Sequence, residues 1–378
     1  MIERAIDKRE VEKLLDQFPI TALVGPRQCG KTTLAKTFNV DHYFDLENPR
    51  DFAALQNPQL VLEDLKGLIV IDEIQRLPEV FPLIRYLVDT KPHQRYLILG
   101  SASGRLLRQS SESLAGRIAY YALGGFRIQD VGSSRFKTLW LRGGFPRSFT
   151  AKGEPESRTW RDHYLTAFME RDLPRLEIMI PAPSMRRFLT MLAHYHGQII
   201  NFSELARSFG MSDMTVRRYL EILEATFLIR MLQPWHVNLG KRLVKRPKLF
   251  IGDSGLFHSL MGIEDQRGLL AHPKRGASWE GFAQECVVRS LGQEVRNTYF
   301  WATHAGAELD LFWQKGSKNW GVEFKLGDAP TYTTSMKTAL HDLKLEHLWV
   351  VYPGEKAYPL DKKISALPLS SVPFPWKY

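Results

Sequence analysis

The segment Gly25-Pro26-Arg27-Gln28-Cys29-Gly30-Lys31-Thr32 fits G-x-x-x-x-G-K-[ST] at every fixed position. An apolar run, Ile20–Val24, precedes it and a helix-compatible run, Thr33–Phe38, follows. Strand, glycine-rich loop and helix in that order make a phosphate cradle. The glycines let backbone N–H groups close around phosphate oxygens, and the helix N-terminus adds partial positive charge. Lys31 can reach the β- and γ-phosphates, and the Thr32 hydroxyl can ligate Mg²⁺. The pattern thus assigns Gly25, Pro26, Arg27, Gln28, Cys29, Gly30, Lys31, Thr32 and Thr33 to ATP binding. It leaves open what the triphosphate is used for.

A chain of 378 residues has room for two to three domains, each with its own core. A hydrophobic content of 44% is that of a folded globular protein. The net charge of +10 favours a polyanionic partner, nucleic acid before a membrane surface. Cys29 and Cys286 are the only cysteines, which excludes a disulfide framework or a cysteine zinc site and fits a reducing cytoplasm. The first residues are charged and lack the apolar core of a signal peptide. No apolar run approaches a membrane span, and no internal repeat is visible.

Buried-strand patterns at Ile20–Val24, Gly67–Glu73 and Arg95–Ser101 alternate with helical stretches, and a shorter strand is expected over His42–Leu46. Such alternation predicts a parallel sheet with helices on both faces and ligands at the carboxyl ends of its strands. The rhythm changes from about residue 125. Trp160–Leu176 reads as one long helix, Pro181-Ala182-Pro183 as a break, and the chain from residue 184 to 230 as helical. A second break falls at Gly268–Gly276.

Asp72 and Glu73 close the second apolar run, forty residues after the phosphate loop. An acid there can hold Mg²⁺, and the next can activate an attacking water. Taken alone, the pair reads better as a cap on the next helix; the phosphate loop upstream turns the reading to ATP hydrolysis. Three segments, Ile69–Pro78, Leu99–Ser103 and Ser113–Arg117, resemble prokaryotic AAA-type ATPases that carry a C-terminal domain of unknown function (DUF4143 type). The resemblance implies that Ser101 senses the γ-phosphate and that Arg117 is an arginine finger. A finger normally acts in trans, so that role presupposes a homo-oligomer. Gly143–Pro146, Glu170–Leu173 and Pro247–Leu256 match further recurring segments of these ATPases.

Asn201–Leu223 reads as helix-turn-helix. Ser203 and Ser212 are placed to cap the two helices, Gly210 supplies the turn, and Val216, Leu220 and Leu223 form an apolar stripe. Asp213, Thr215, Arg217 and Arg218 fall on the polar face. From Ala225 to Gly252 there is no acid, but there are six bases, Arg230, Lys241, Arg242, Lys245, Arg246 and Lys248, interleaved with Trp235 and His236. A two-stranded wing would bring these bases to DNA phosphates. Winged helices also bind proteins, so a protein partner stays open.

Near the C-terminus, Glu280 opens a helix, Glu308–Trp313 reads as a strand, and Gly321–Lys325 as its neighbour beyond a turn at Gly316. Period-2 alternation puts Glu323 and Lys325 on one face. This set resembles the PD-(D/E)XK nuclease superfamily. The resemblance implies that Asp310 and Glu323 hold Mg²⁺, that Glu280 supports the metal, and that Lys325 activates water. Two hard carboxylates suit Mg²⁺ rather than zinc.

The expected architecture is therefore α/β: an AAA-type P-loop core over residues 1–125, a helical linker over 126–182, a winged-helix domain over 183–267, and a small nuclease-like α/β domain over 268–378. The expected function is a cytoplasmic ATPase that binds DNA, with nuclease output under nucleotide control. The alternative is a nucleotide-dependent switch or protein-binding module without nuclease activity.

Overall fold

Every residue of the strand Ile20–Gly25 (β1) is buried, as a central strand covered on both faces requires. It is the hub of the N-terminal unit, residues 2–126 with 221–228, in a computed structural model. The structure describes residues 2–101, 114–176, 178, 180–235, 244–292 and 297–371. The other strands of this unit are β2 (His42–Asp45), β3 (Gly67–Asp72), β4 (Gln94–Ser101) and β5 (Ile118–Ala122). All pairings are parallel, and the order is β2-β3-β4-β1-β5. One strand, β4, thus separates the phosphate-loop strand from the strand that ends in Asp72.

One sheet face buries Ile20, Ala22, Ile69, Ile71, Tyr96 and Ile98 in a core shared with Phe81 and Ile84 of the helix Phe81–Thr90. The helix Ala5–Gln17 buries Val11, Leu14 and Leu15. Its entry is fixed by Arg4. This buried guanidinium pairs with Asp7 at 2.8 Å and donates to the carbonyls of Cys29 (2.8 Å), Gly124 (2.9 Å) and Gly125 (2.9 Å). Asp7 in turn accepts the Tyr121 hydroxyl at 2.6 Å.

The second unit comprises residues 127–220 and 229–371 of the described chain. Its expected long helix is interrupted. Glu154–Ala167 is helical, then Leu173 N–H reaches back five residues to Phe168 O in a widened turn. Pro174, which has no N–H to donate, follows at once. The middle region carries the helices Ala182–His194 and Phe202–Phe209 and the first part of Asp213–Ala225, whose residues from 221 on are counted with the N-terminal unit. A small antiparallel sheet accompanies them, ordered β6 (Gln198–Ile199), β8 (Lys248–Ile251), β7 (Ile229–Leu232). Residues 198–199 and 229–232 are therefore strands inside or beside a stretch expected to be helical.

The C-terminal region has the helix Arg275–Leu291 and a six-stranded mixed sheet. Its strands are β9 (Tyr299–Ala302), β10 (Glu308–Lys315), β11 (Lys318–Phe324), β12 (Leu345–Tyr352), β13 (Tyr358–Asp361) and β14 (Ile364–Pro368), in the order β13-β14-β12-β11-β10-β9. β10 and β11 form a hairpin with Leu311 opposite Val322, and Gly316 takes a left-handed φ of 61° in its turn.

Candidate functional site

In the N-terminal unit the phosphate loop connects β1 to the helix Lys31–Ala35. Gly25 must be glycine: a Cβ there would lie 2.2 Å from Leu123 O. Gly30 adopts a left-handed φ of 102°. The buried Lys31 Nζ donates to the carbonyls of Gly25 at 3.0 Å and Pro26 at 2.9 Å, which holds the ammonium over the loop. Cys29 is buried beneath the loop, whereas Gln28 is exposed with a φ of 60°. Thr32 and Thr33 lie exposed on the first helical turn.

The Thr32 hydroxyl donates to Asp72 Oδ2 at 2.7 Å, so the loop and the end of β3 meet. Asp72 Oδ1 accepts the Glu73 N–H at 2.9 Å, and Tyr43 OH donates to Asp72 Oδ2 at 2.7 Å. Burial and the adjoining Asp72 carboxylate push the Tyr43 hydroxyl well above its usual range, so it stays a donor. Glu73 sits at a φ of 56°, uncommon for a residue with a side chain, and contacts Gln75. Burial raises its carboxyl above the ordinary value, against the pull of Lys31. A hydroxyl and a carboxylate converging beside a lysine are hard oxygen donors that fit Mg²⁺ bound with a triphosphate.

Ser101 lies at the carboxyl end of β4 in register with Gly25, and its side chain is outside the described residues. Arg117 is elsewhere. It directly precedes β5, and its carbonyl accepts the N–H of Ile20, the first residue of β1. The phosphate loop leaves the opposite end of β1, about 17 Å away at some 3.3 Å per residue. The Arg117 guanidinium is paired with Asp89 at 2.6 Å. The fold thus brings Lys31, Thr32, Asp72 and Glu73 together and leaves Arg117 at the far edge of the same sheet. Tyr43 and Arg4 were not anticipated; neither belongs to a motif, and only the tertiary fold places them.

In the second unit, Ser212 caps its helix as expected, accepting the Thr215 N–H at 3.1 Å. Ser203 does not cap: it lies one residue inside the helix Phe202–Phe209 and donates to Asp213 at 2.7 Å. Gly210 makes the left-handed turn, and Val216 and Leu220 are buried, as is Leu223 on the segment counted with the N-terminal unit. The basic run divides. Lys245 and Arg246 are exposed, while Lys241, Arg242 and His236 lie outside the described residues. Arg230 contacts Gln284 and pairs with Glu285 at 3.7 Å. Trp235 packs on Tyr299 and Phe312, with ring centroids 4.9 and 4.8 Å away.

Lys248 is the main correction. The run of bases places it at phosphates, yet only 3% of it is exposed. Its ammonium lies 3.2 Å from Glu280 Oε1 and 3.4 Å from Asp310 Oδ1, and it also contacts Glu308. Asp310 Oδ2 accepts the Phe324 N–H at 2.9 Å, and Lys325 Nζ donates to Glu323 Oε1 at 2.8 Å. The carboxylates implied by the nuclease resemblance are thus gathered in one place, but around a lysine. Among the described residues no group of three or more His, Cys, Asp or Glu is arranged to hold a metal ion. Burial, opposed by the Lys248 charge, raises the Glu280 carboxyl above its ordinary range. Burial and the Asp310 charge raise Glu323 likewise. Glu308 joins this cluster without belonging to the motif; it lies two residues before Asp310, and period-2 alternation puts both on one strand face.

A five-stranded parallel sheet with a phosphate loop after β1, and an acid pair at the end of a strand one removed, defines a P-loop NTPase core of the AAA type. The AAA domain model matches residues 17–131, and two models of domains of unknown function, DUF8612 and DUF4143, match 133–267 and 275–372. An uncharacterized protein of Mycobacterium tuberculosis is 46% identical over 376 residues, 98% of this chain and 85% of that protein. An uncharacterized protein of Mycobacterium bovis matches with the same figures. The chain belongs to the family of these mycobacterial proteins, with an N-terminal AAA-type P-loop domain and downstream domains of unknown function. Among solved structures, a Walker-type ATPase of Pyrococcus abyssi is 17% identical, covering 69% of this chain and 96% of that one with a TM-score of 0.47. The DNA clamp loader delta protein of Bacillus subtilis is 10% identical, covering 58% and 88%, with a TM-score of 0.26. Among the described residues no helix is long and apolar enough to cross a membrane.

Proposed function

We propose that the chain is an ATP-driven switch: its N-terminal unit binds and hydrolyses ATP, and its second unit binds a partner without cutting it. The observation that carries the reading is the meeting of the phosphate loop with the end of β3, where Thr32 Oγ1 lies 2.7 Å from Asp72. Lys31 is held beside that point to neutralise the β- and γ-phosphates. Thr32 and Asp72 would hold Mg²⁺, which when bound supplies charge neutralisation on the phosphates. Glu73 positions the attacking water and takes its proton. Its raised carboxyl pKa brings it closer to a base that works near neutrality. Ser101 joins the proposal as the γ-phosphate sensor by its place on β4. Arg117 is given no part in the site of its own chain.

Phosphate release by wild type, Lys31→Ala and Glu73→Gln tests this. Lys31→Ala should abolish nucleotide binding. Glu73→Gln should keep it while turnover falls at least tenfold. Turnover in Lys31→Ala equal to wild type would remove the ATPase reading.

We read the partner as nucleic acid, met by a winged-helix arrangement of the three middle helices and the small sheet. The support is the net charge of +10 and the exposure of Arg217, Arg218, Lys245 and Arg246. Reversing Lys245 and Arg246 to Glu should weaken duplex DNA binding and flatten its log–log salt dependence by roughly 0.9 per lost phosphate contact. An unchanged slope would transfer the surface to a protein partner. The C-terminal region keeps nuclease-like acids but, on this reading, supports binding rather than cleavage.

A further inference from the structure

We propose that Lys248 is the resident cation of the C-terminal carboxylate cluster, standing where a divalent ion would have to sit and joining the surrounding acids in its place. This deepens the binding-without-cutting half of the proposed function and is independent of the ATPase half.

Three features support it. The first is valence: an ammonium has three N–H donors, and Lys248 meets three carboxylates, those of Glu280, Glu308 and Asp310. The second is prior engagement of both oxygens of the acid implied as the central metal ligand. Asp310 gives one oxygen to Lys248 and the other to the Phe324 N–H. Glu323 Oε1 is taken by Lys325. Among the described residues Glu323 Oε2 is buried with no hydrogen-bond partner, so of the four carboxylate oxygens of Asp310 and Glu323 it alone is left without a donor.

The third feature is anchorage. Lys248 belongs to β8, the central strand of its sheet, with Ile199 in register on one side and Leu232 on the other. Its ammonium also lies 5.5 Å from the Phe300 ring centroid. An incoming ion would have to expel a buried ammonium whose backbone is paired on both edges. The lysine thus ties three parts of the unit together: β8, the helix Arg275–Leu291 that carries Glu280, and β10 with Glu308 and Asp310.

The test is Mn²⁺ uptake by the full chain without nucleotide, counted by the electron paramagnetic resonance of free Mn²⁺. Wild type, Asp310→Asn and Glu323→Gln should take up the same amount. Lys248→Met should take up about one more ion per chain, and the double variant Lys248→Met/Asp310→Asn should lose that gain. The proposal is overturned if wild type holds an ion that Asp310→Asn or Glu323→Gln loses, or if folded Lys248→Met gains none. Should Lys248→Met not fold, the comparison of wild type with Asp310→Asn and Glu323→Gln decides alone. ATP turnover of wild type, which tests the other half, does not enter either outcome.

Discussion

The hydroxyls of Tyr43 and Thr32 each donate to the same oxygen of Asp72, at 2.7 Å. Asp72 is buried, so each donor limits how its carboxylate can turn. On the proposed mechanism Thr32 must also serve Mg²⁺, and Tyr43 is then the donor that keeps Asp72 oriented toward it. Tyr43 is a positioning residue; it touches neither phosphate nor water in this scheme. Loss of a hydrogen bond to a charged group costs about 1.5–3 kcal/mol, part of which would appear in metal binding. Tyr43→Phe should therefore raise the Mg²⁺ concentration for half-maximal ATP turnover about tenfold, with ATP binding in the absence of Mg²⁺ unchanged. An Mg²⁺ dependence identical to wild type would show that the hydroxyl only fills space.

At the scale of elements, the N-terminal site was legible because its signals are local. A glycine-rich loop between an apolar run and a helix, and acids at a strand end, are written in consecutive residues. Arg117 was not legible in the same way. Its place at the amino end of β5 follows from strand direction and order, which no short segment encodes. Lys248 shows the same limit. Inside a run of bases it reads as surface, and only the pairing of β8 between β6 and β7 turns it inward. Two matched segments gained a physical role. Asp253 Oδ2 accepts the Gly144 N–H at 2.7 Å, and Asp253 Oδ1 accepts the Leu256 N–H at 3.0 Å. A Cβ at Gly143 would lie 2.1 Å from that carboxylate, so the Gly143–Pro146 turn and the Gly252–Gly255 turn form one joint. In the same unit, Gly281 leaves room for His196, whose Nε2 would be 2.2 Å from an added Cβ.

At the scale of the whole chain, buried ionisable groups of the second unit set opposing demands on pH. His196 accepts the Ile251 N–H at 3.0 Å, and His258 contacts Leu141 O at 2.8 Å and Ser278 Oγ at 2.7 Å. Burial pushes both imidazoles from 6.5 down to about 3, and nearby cations, Arg230 for His196 and Arg161 for His258, push the same way. Below pH 6.5 the unfolded chain takes up protons that the native imidazoles refuse, so stability falls as pH drops. At pH 4 the loss is on the order of 3 kcal/mol for each histidine. Glu280 and Glu323 act with the opposite sign. Their native carboxyls sit above the ordinary 4.5, so the native state holds protons longer, and stability falls as pH rises through their raised values. The two demands overlap only between 4.5 and 6.5, which places the stability maximum of this unit in that window. Residues 2–126 and 221–228 contain no tryptophan, and the eight tryptophans among the described residues all fall in the second unit, so tryptophan fluorescence during thermal unfolding reports on it. The midpoint should be highest near pH 5–6 and drop by several degrees toward both pH 4 and pH 8. In Glu323→Gln the alkaline fall should be shallower, because the neutral amide has no proton to lose. A midpoint that climbs steadily from pH 5 to pH 8 in wild type would mean that these carboxyls are ionised in the native state at ordinary pH, and the argument from their burial would fail.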